Sequence, residues 1–176
     1  MSLIDVTYFQ KRLLAIPNLN RPEVANKLSD YITTYESKYL NNMLGLTLKT
    51  LFLSGLEEET PDTKWTRLRD GYTYQISGYD YKWSGFVNTD KRSPIANYVF
   101  TKFYQDNQRY FTGVGDVVPT KENASRVVMR YTLSEVWNDM SSMNNDLYNF
   151  LIQYESDYPT FKTSSVMLTE DNVLGF

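Results

Sequence analysis

The sequence predicts a mainly α protein: a small helical bundle of about five helices, with an inserted β-hairpin and an extended C-terminal tail. Three observations predict it. Apolar residues recur at spacings of three and four along two long stretches, 24–43 and 133–154. Between them the period drops to two, from Tyr72 to Trp83. Beyond Pro159 helical periodicity is lost.

The elements follow in order. A short apolar segment, Thr7 to Ile16, has room for one or two helical turns before Pro17 ends it. Asn20 can cap the next helix, and Pro22 fits its first turn. Val24, Leu28, Ile32, Tyr35, Tyr39 and Met43 form its apolar stripe, and Gly45 supplies a stop. A second short helix runs from Leu46 to about Ser54. Gly55, the acidic run Glu57–Glu59 and Pro61 read as a surface connection. Asp62 can cap a third helix that carries Trp65 and Leu68 and stops at Gly71.

The hairpin comes next. Tyr72, Tyr74 and Ile76 alternate with polar residues, as do Tyr79, Tyr81 and Trp83 after Gly78. The whole hairpin region spans about 72–86 and carries a ladder of aromatics on one face. A lone two-stranded hairpin is marginal in water, so it must rest on the helices or on a partner. Ser93-Pro94 opens the fourth helix, with Ile95, Tyr98, Val99 and Phe103 facing one way until about Phe111. Thr112-Gly113-Val114-Gly115-Asp116 reads as a bend rather than a nucleotide loop, because the third glycine and the strand–loop–helix context are missing.

Thr120 is a candidate cap for the longest helix, which runs to about Tyr158. Leu133, Val136, Trp137, Met140, Met143, Leu147, Phe150, Leu151 and Tyr154 give it a wide apolar stripe. Asn144, Asn145 and Asp146 are read as its polar side. The division is a helical domain over 1–159 and a C-terminal arm over 160–176, with no internal repeat or low-complexity tract. The arm holds Val166, Leu168, Leu174 and Phe176, too apolar a set to leave wholly in water.

Composition narrows the function. The chain has 176 residues and can hide roughly 70 % of its unfolded surface without staples. Histidine and cysteine are both absent, which removes disulfides, thiolate nucleophiles, the usual zinc sites and histidine acid–base chemistry. Carboxylate-only catalysis and an oxygen-ligand Mg²⁺ or Ca²⁺ site stay open, but no motif marks either. The net charge of −3 argues against a general nucleic-acid coat. The N-terminus does not read as a signal peptide, and no stretch reads as a membrane span. No catalytic, cofactor or metal residue is assigned, and the expectation is a non-enzymatic protein.

The outlier is an aromatic content of 15 %, including 15 tyrosines. Tyrosine suits a partly wet surface, so a Tyr-rich core rim and a contact surface are both open readings. The stripe positions Tyr35, Tyr39, Tyr98, Phe103, Trp137, Phe150 and Tyr154 are assigned to one core. Tyr72, Tyr74, Tyr79, Tyr81 and Trp83, together with the arm's Val166, Leu168, Leu174 and Phe176, are the candidate protein-interface residues. A glycan-binding module built on the aromatic hairpin is the alternative from a different class.

Several segments carry a resemblance. They are Tyr35-Glu36-Ser37-Lys38-Tyr39-Leu40 with Leu44-Gly45, Trp83-Ser84-Gly85-Phe86, Ser93 to Phe100, Thr112 to Gly115, and Glu122-Asn123-Ala124 leading to Val136-Trp137-Asn138-Asp139-Met140. In this order and spacing the chain resembles the head–tail connector, adaptor or head-completion proteins of tailed phages and prophages of Bacteroides-type bacteria, crAss-like phages included. The resemblance covers roughly residues 30–145. It implies a helical virion protein, made in the bacterial cytoplasm, that forms a homo-oligomeric ring, dodecameric by analogy with portals. Such a ring stacks below the portal protein, extends the channel through which DNA passes without sequence-specific binding, and docks the tail or the next ring protein. Another tail or tail-completion ring component of the same particle is the nearest alternative. The family brings no catalytic residues and no cofactor.

Overall fold

The computed structural model describes residues 2–10, 12–107, 110–112, 115–117, 123–159, 161 and 165–171. The protein is mainly helical. Two 3₁₀ turns, Val6–Phe9 and Arg12–Leu14, precede α1 (Pro22–Leu56) and α2 (Thr63–Asp70). A hairpin of β1 (Tyr72–Ile76) and β2 (Tyr79–Trp83) leads to α3 (Pro94–Asn107). A second small antiparallel pair, β3 (Tyr110–Thr112) and β4 (Gly115–Val117), precedes α4 (Asn123–Gln153). A 3₁₀ turn, Ser165–Leu168, lies in the C-terminal arm.

There are four α-helices among the described residues rather than about five, and the difference lies at Gly45. That residue is non-helical, with φ 74° and ψ 162°, yet α1 resumes at once on its far side. The glycine kinks the element where a full stop was expected, because Leu44 before it and Leu48 after it are both fully buried. The start also differs: Arg21 takes the N-cap position without a side-chain bond, so Asn20 is not the cap, while Pro22 opens the first turn as expected. Asp62 caps α2 by accepting from Lys64 N. Of the bend expected over 112–116, Thr112 ends β3 and pairs with Gly115, which opens β4, while Gly113 and Val114 lie outside the described residues; the three-residue strands are too short to show a period. Thr120 lies outside the described residues. α4 ends at Gln153, and a turn carries the chain to Tyr158 and Pro159.

α3 is the central helix and packs on both α1 and α4. Every residue from Pro94 to Thr101 is buried, so its first two turns are enclosed on all sides. Its polar members find partners. Asn97 Nδ2 donates to Val136 O at 3.0 Å and to Asp139 Oδ2 at 3.0 Å. Thr101 Oγ1 donates to Asn97 O at 2.9 Å. Ser93 Oγ, the expected cap of this helix, is buried with no hydrogen-bond partner among the described residues.

The N-terminal segment is strapped onto α1 by Glu36, which is buried. Its carboxylate accepts from Ser2 Oγ at 2.9 Å, Leu3 N at 3.0 Å and Ile4 N at 3.2 Å. Burial pushes this carboxyl above its ordinary value of 4.5, and the bonds from Leu3, Ser2 and Ile4 offset part of the shift.

Candidate protein-contact surfaces

The hairpin forms because its alternating sequence meets a two-residue loop, Ser77-Gly78, in which both residues have positive φ (51° and 84°). A type I′ turn requires that, and it matches the twist of the strands. The register pairs Tyr72 with Trp83, Tyr74 with Tyr81 and Ile76 with Tyr79. Paired residues share a face, so the aromatic ladder read from the sequence exists.

Burial then divides the ladder along its length. At the base, Trp83 is 0 % exposed and its indole N–H donates to Leu68 O at 2.9 Å. Tyr74 is 5 % exposed, while Tyr81 is 42 % and Tyr79, beside the turn, 72 % exposed. Tyr72 is half-buried, under the Arg67 guanidinium at 4.3 Å from its ring centroid. Tyr74 packs on Phe150 of α4 and on Tyr154 in the turn after it, with centroids 5.8 and 5.9 Å apart. From Trp83 the contacts continue through Phe86 to Tyr39 and Phe52 of α1. The hairpin thus rests on the helices. Of the five ladder residues assigned to an interface, Trp83 and Tyr74 are corrected to the core of this chain. Tyr72 is engaged by Arg67 and α4, Tyr81 stacks on Tyr74 with centroids 5.9 Å apart while its outer side stays exposed, and Tyr79 beside the turn is the most open ring.

The base is fixed by a close approach of two backbones. A Cβ on Gly85 (φ 84°) would lie 2.4 Å from Asp70 C and 2.6 Å from Gly71 N. Val87 N donates to Arg69 O at 2.9 Å beside it. The glycine in Trp83-Ser84-Gly85-Phe86 therefore lets the strand exit press against the end of α2.

The C-terminal arm makes the second surface. Over residues 165–171 it lies on α4, held by side chains that bind its main chain. Asn144 Nδ2 donates to Met167 O at 2.7 Å, and Asn145 Nδ2 to Leu168 O at 3.2 Å. Trp137 Nε1 donates to Thr169 O at 2.9 Å. Asn138 grips Asp171 at both ends, accepting from its N–H at 2.6 Å and donating to its carbonyl at 3.1 Å. Among residues 166–171 Met167 is the buried side chain, 3 % exposed, whereas Val166 is 64 % exposed and Leu168 half-buried. Leu174 and Phe176 lie outside the described residues. A cleft of about 440 Å³ adjoins the seat, lined by Thr101 and Gln105 of α3, Leu133 and Trp137 of α4, and Val166 and Thr169 of the arm.

Two corrections follow. Asn144 is fully buried rather than part of a polar side, and its Oδ1 accepts from the buried Tyr39 hydroxyl. Trp137, expected in the core, is half-buried at its edge and faces the arm. In the sequence Asn144 and Asn145 read as the polar side of the helix and Asn138 as part of the resemblance, so none of the three seat residues reads as a binding group. A signal existed for one of them: Asn144 falls between Met140 and Leu147 at spacings of four and three, on the apolar stripe itself.

Among the described residues no cluster of three or more acidic side chains converges as a metal site. No helix among them is long and apolar enough to cross a membrane. Comparison with protein-family models, with curated proteins and with solved structures gave no match.

Proposed function

We propose that this protein is a virion structural subunit, a ring-forming head-to-tail connector that stacks below the portal, extends the DNA channel and docks the tail. The observation that carries the reading is the pair of unlike contact elements. One is the hairpin tip with Tyr79 and Tyr81; the other is the arm over α4. They meet different stretches, the end of α4 and the turn after it (150 and 154) for the hairpin and 137–145 of α4 for the arm. A ring closes by heterologous contacts, which need two different patches on each subunit.

The resemblance to connector proteins supports this reading, and the placement of its segments says what they share. Ser93 to Phe100 is the enclosed start of α3, Trp83 to Phe86 is the packed base of the hairpin, and Val136 and Met140 are buried on α4, which packs on α3. These segments specify a scaffold, on which the exposed tip and the arm are carried. A glycan platform finds less support, because four of its five rings, Tyr72, Tyr74, Tyr81 and Trp83, are engaged within the chain.

The test is co-expression with the portal protein of the same genome, followed by mass measurement of the purified complex. A closed ring in fixed stoichiometry with the portal is expected. A chain that stays monomeric at high concentration and ignores the portal overturns the proposal. Binding to tail proteins alone would move the ring to tail completion.

A further inference from the structure

The seat on α4 has the chemistry of a peptide-binding groove. Asn138, Asn144, Asn145 and Trp137 read the main chain of residues 167–171, and one apolar side chain, Met167, anchors it. The groove is preorganised from below. The Tyr39 hydroxyl, fully buried in α1, donates to Asn144 Oδ1 and so turns the Asn144 amide N–H₂ toward the arm. When a groove binds a peptide, bonds to the main chain supply affinity and a side-chain pocket supplies specificity, and this seat makes both kinds of contact to a segment that begins as a 3₁₀ turn.

The arm is held by modest forces. Each such hydrogen bond contributes about 0.5–1.5 kcal/mol net, and burial of one methionine about 1.5–3 kcal/mol. Up to Tyr158 the chain is fixed more firmly: that ring is buried, and its hydroxyl donates to Lys64 O at 2.7 Å. Phe161 still packs on Tyr148, with centroids 6.0 Å apart. Beyond that point the described residues 165–171 touch the body through α4 and the cleft beside it, and Val166, Thr169, Glu170 and Asp171 stay exposed. Nothing in the seat depends on the arm belonging to the same chain, because every bond it makes would be the same with a second copy.

We infer that in the assembled ring this groove is filled by residues 165–171 of a neighbouring copy, each subunit passing its arm to the next. This rests on the ring reading above. Groove and arm are two different, mutually complementary patches, so the exchange runs in one direction around the ring, and it adds to the contact of the hairpin tip rather than replacing it. Neighbours in a ring hold the arm at high effective concentration, so weak bonds suffice.

The chain has no cysteine, which gives a clean test. Asn145 is exposed and its side chain bonds to Leu168 O at 3.2 Å, so Asn145→Cys and Leu168→Cys place two thiols at the seat. Two full-length chains, one with each substitution and only one of them tagged, are co-expressed and treated with a short bismaleimide. A tagged–untagged covalent dimer is expected, and both substitutions in one chain give a ladder of covalent multimers. The exposed pair Ser142→Cys and Val166→Cys, with a longer reagent, repeats the test without removing a hydrogen bond. Rings by mass that show internal cross-links only would overturn the exchange and leave the ring reading standing. No oligomer at any concentration, alone or with the portal, would overturn both.

Discussion

The hairpin and the C-terminal arm both lie against α4, but by opposite chemistries. The hairpin is held through rings: Tyr72 and Tyr74 pack on Phe150 and Tyr154, Trp83 packs on Phe86, and Phe52, Trp65 and Tyr158 join the two groups into one aromatic chain. The arm is held through amides that grip its backbone, with only Met167 buried. Ring burial is worth about 1.5–3 kcal/mol per side chain and depends on shape. Amide-to-backbone bonds are worth less each and accept many sequences. The difference teaches which element is scaffold and which is exchangeable. The hairpin cannot leave without opening the core, whereas the arm can leave and expose mainly Met167 and a row of solvable amides.

The comparison predicts unequal costs. Trp83→Ala removes the fully buried ring and leaves Leu68 O without its donor; thermal or urea unfolding should report a loss of about 3–5 kcal/mol. A loss below 1 kcal/mol would mean that the base of the hairpin is not core. Asn144→Ala is the matching cut on the arm. It strands the buried Tyr39 hydroxyl and Met167 carbonyl, so a loss of about 1–3 kcal/mol is expected, together with faster amide exchange over 167–171. Unchanged exchange there would show that the amides do not hold the arm.

The N-terminal segment gives a contrasting case, since a carboxylate rather than an amide holds it. Glu36→Gln keeps the size of the side chain but turns an N–H₂ toward backbone donors, and a loss on the order of 1 kcal/mol is expected. Burial holds the Glu36 carboxyl above its ordinary 4.5, so the fold binds its proton more tightly than the unfolded chain does. Its contribution is therefore fullest below 4.5 and declines as pH rises through the raised value. The stability gap between wild type and the glutamine variant should narrow over that window; a gap that widens with pH would reverse the sign. The smallest effect on folding belongs to Tyr79→Ala, an exposed ring whose loss should move stability by about 0.5 kcal/mol or less.

Periodicity made the scaffold legible and left the contacts obscure. Leu28, Ile32, Tyr39 and Met43 on one stripe, and Val136, Met140, Met143, Leu147, Phe150 and Leu151 on the other, are buried where the spacing put them, while Tyr35 and Trp137 are half-buried at the core's edge. The alternation over Tyr72–Trp83 gave both strands and the loop between them. Period says which face a side chain takes but not what covers it. So the ladder read as one surface, although its base is core and only its tip is free. Gly45 read as an end because a left-handed glycine serves a stop and a kink alike. Asn144 was hidden for another reason: a buried amide looks polar in sequence, and only the partners Tyr39 and Met167, 105 and 23 residues away, show that it belongs inside.

The most direct test of the account joins stability and assembly in one measurement on one variant. Sedimentation of the wild type and of the Tyr79→Ser, Tyr81→Ser double variant is compared at equal high concentration, each with and without the portal, after matched melting curves. The account predicts a closed ring for the wild type and a folded monomer with a nearly unchanged melting temperature for the variant. A double variant that assembles like the wild type, or a wild type that never leaves the monomer, would contradict it.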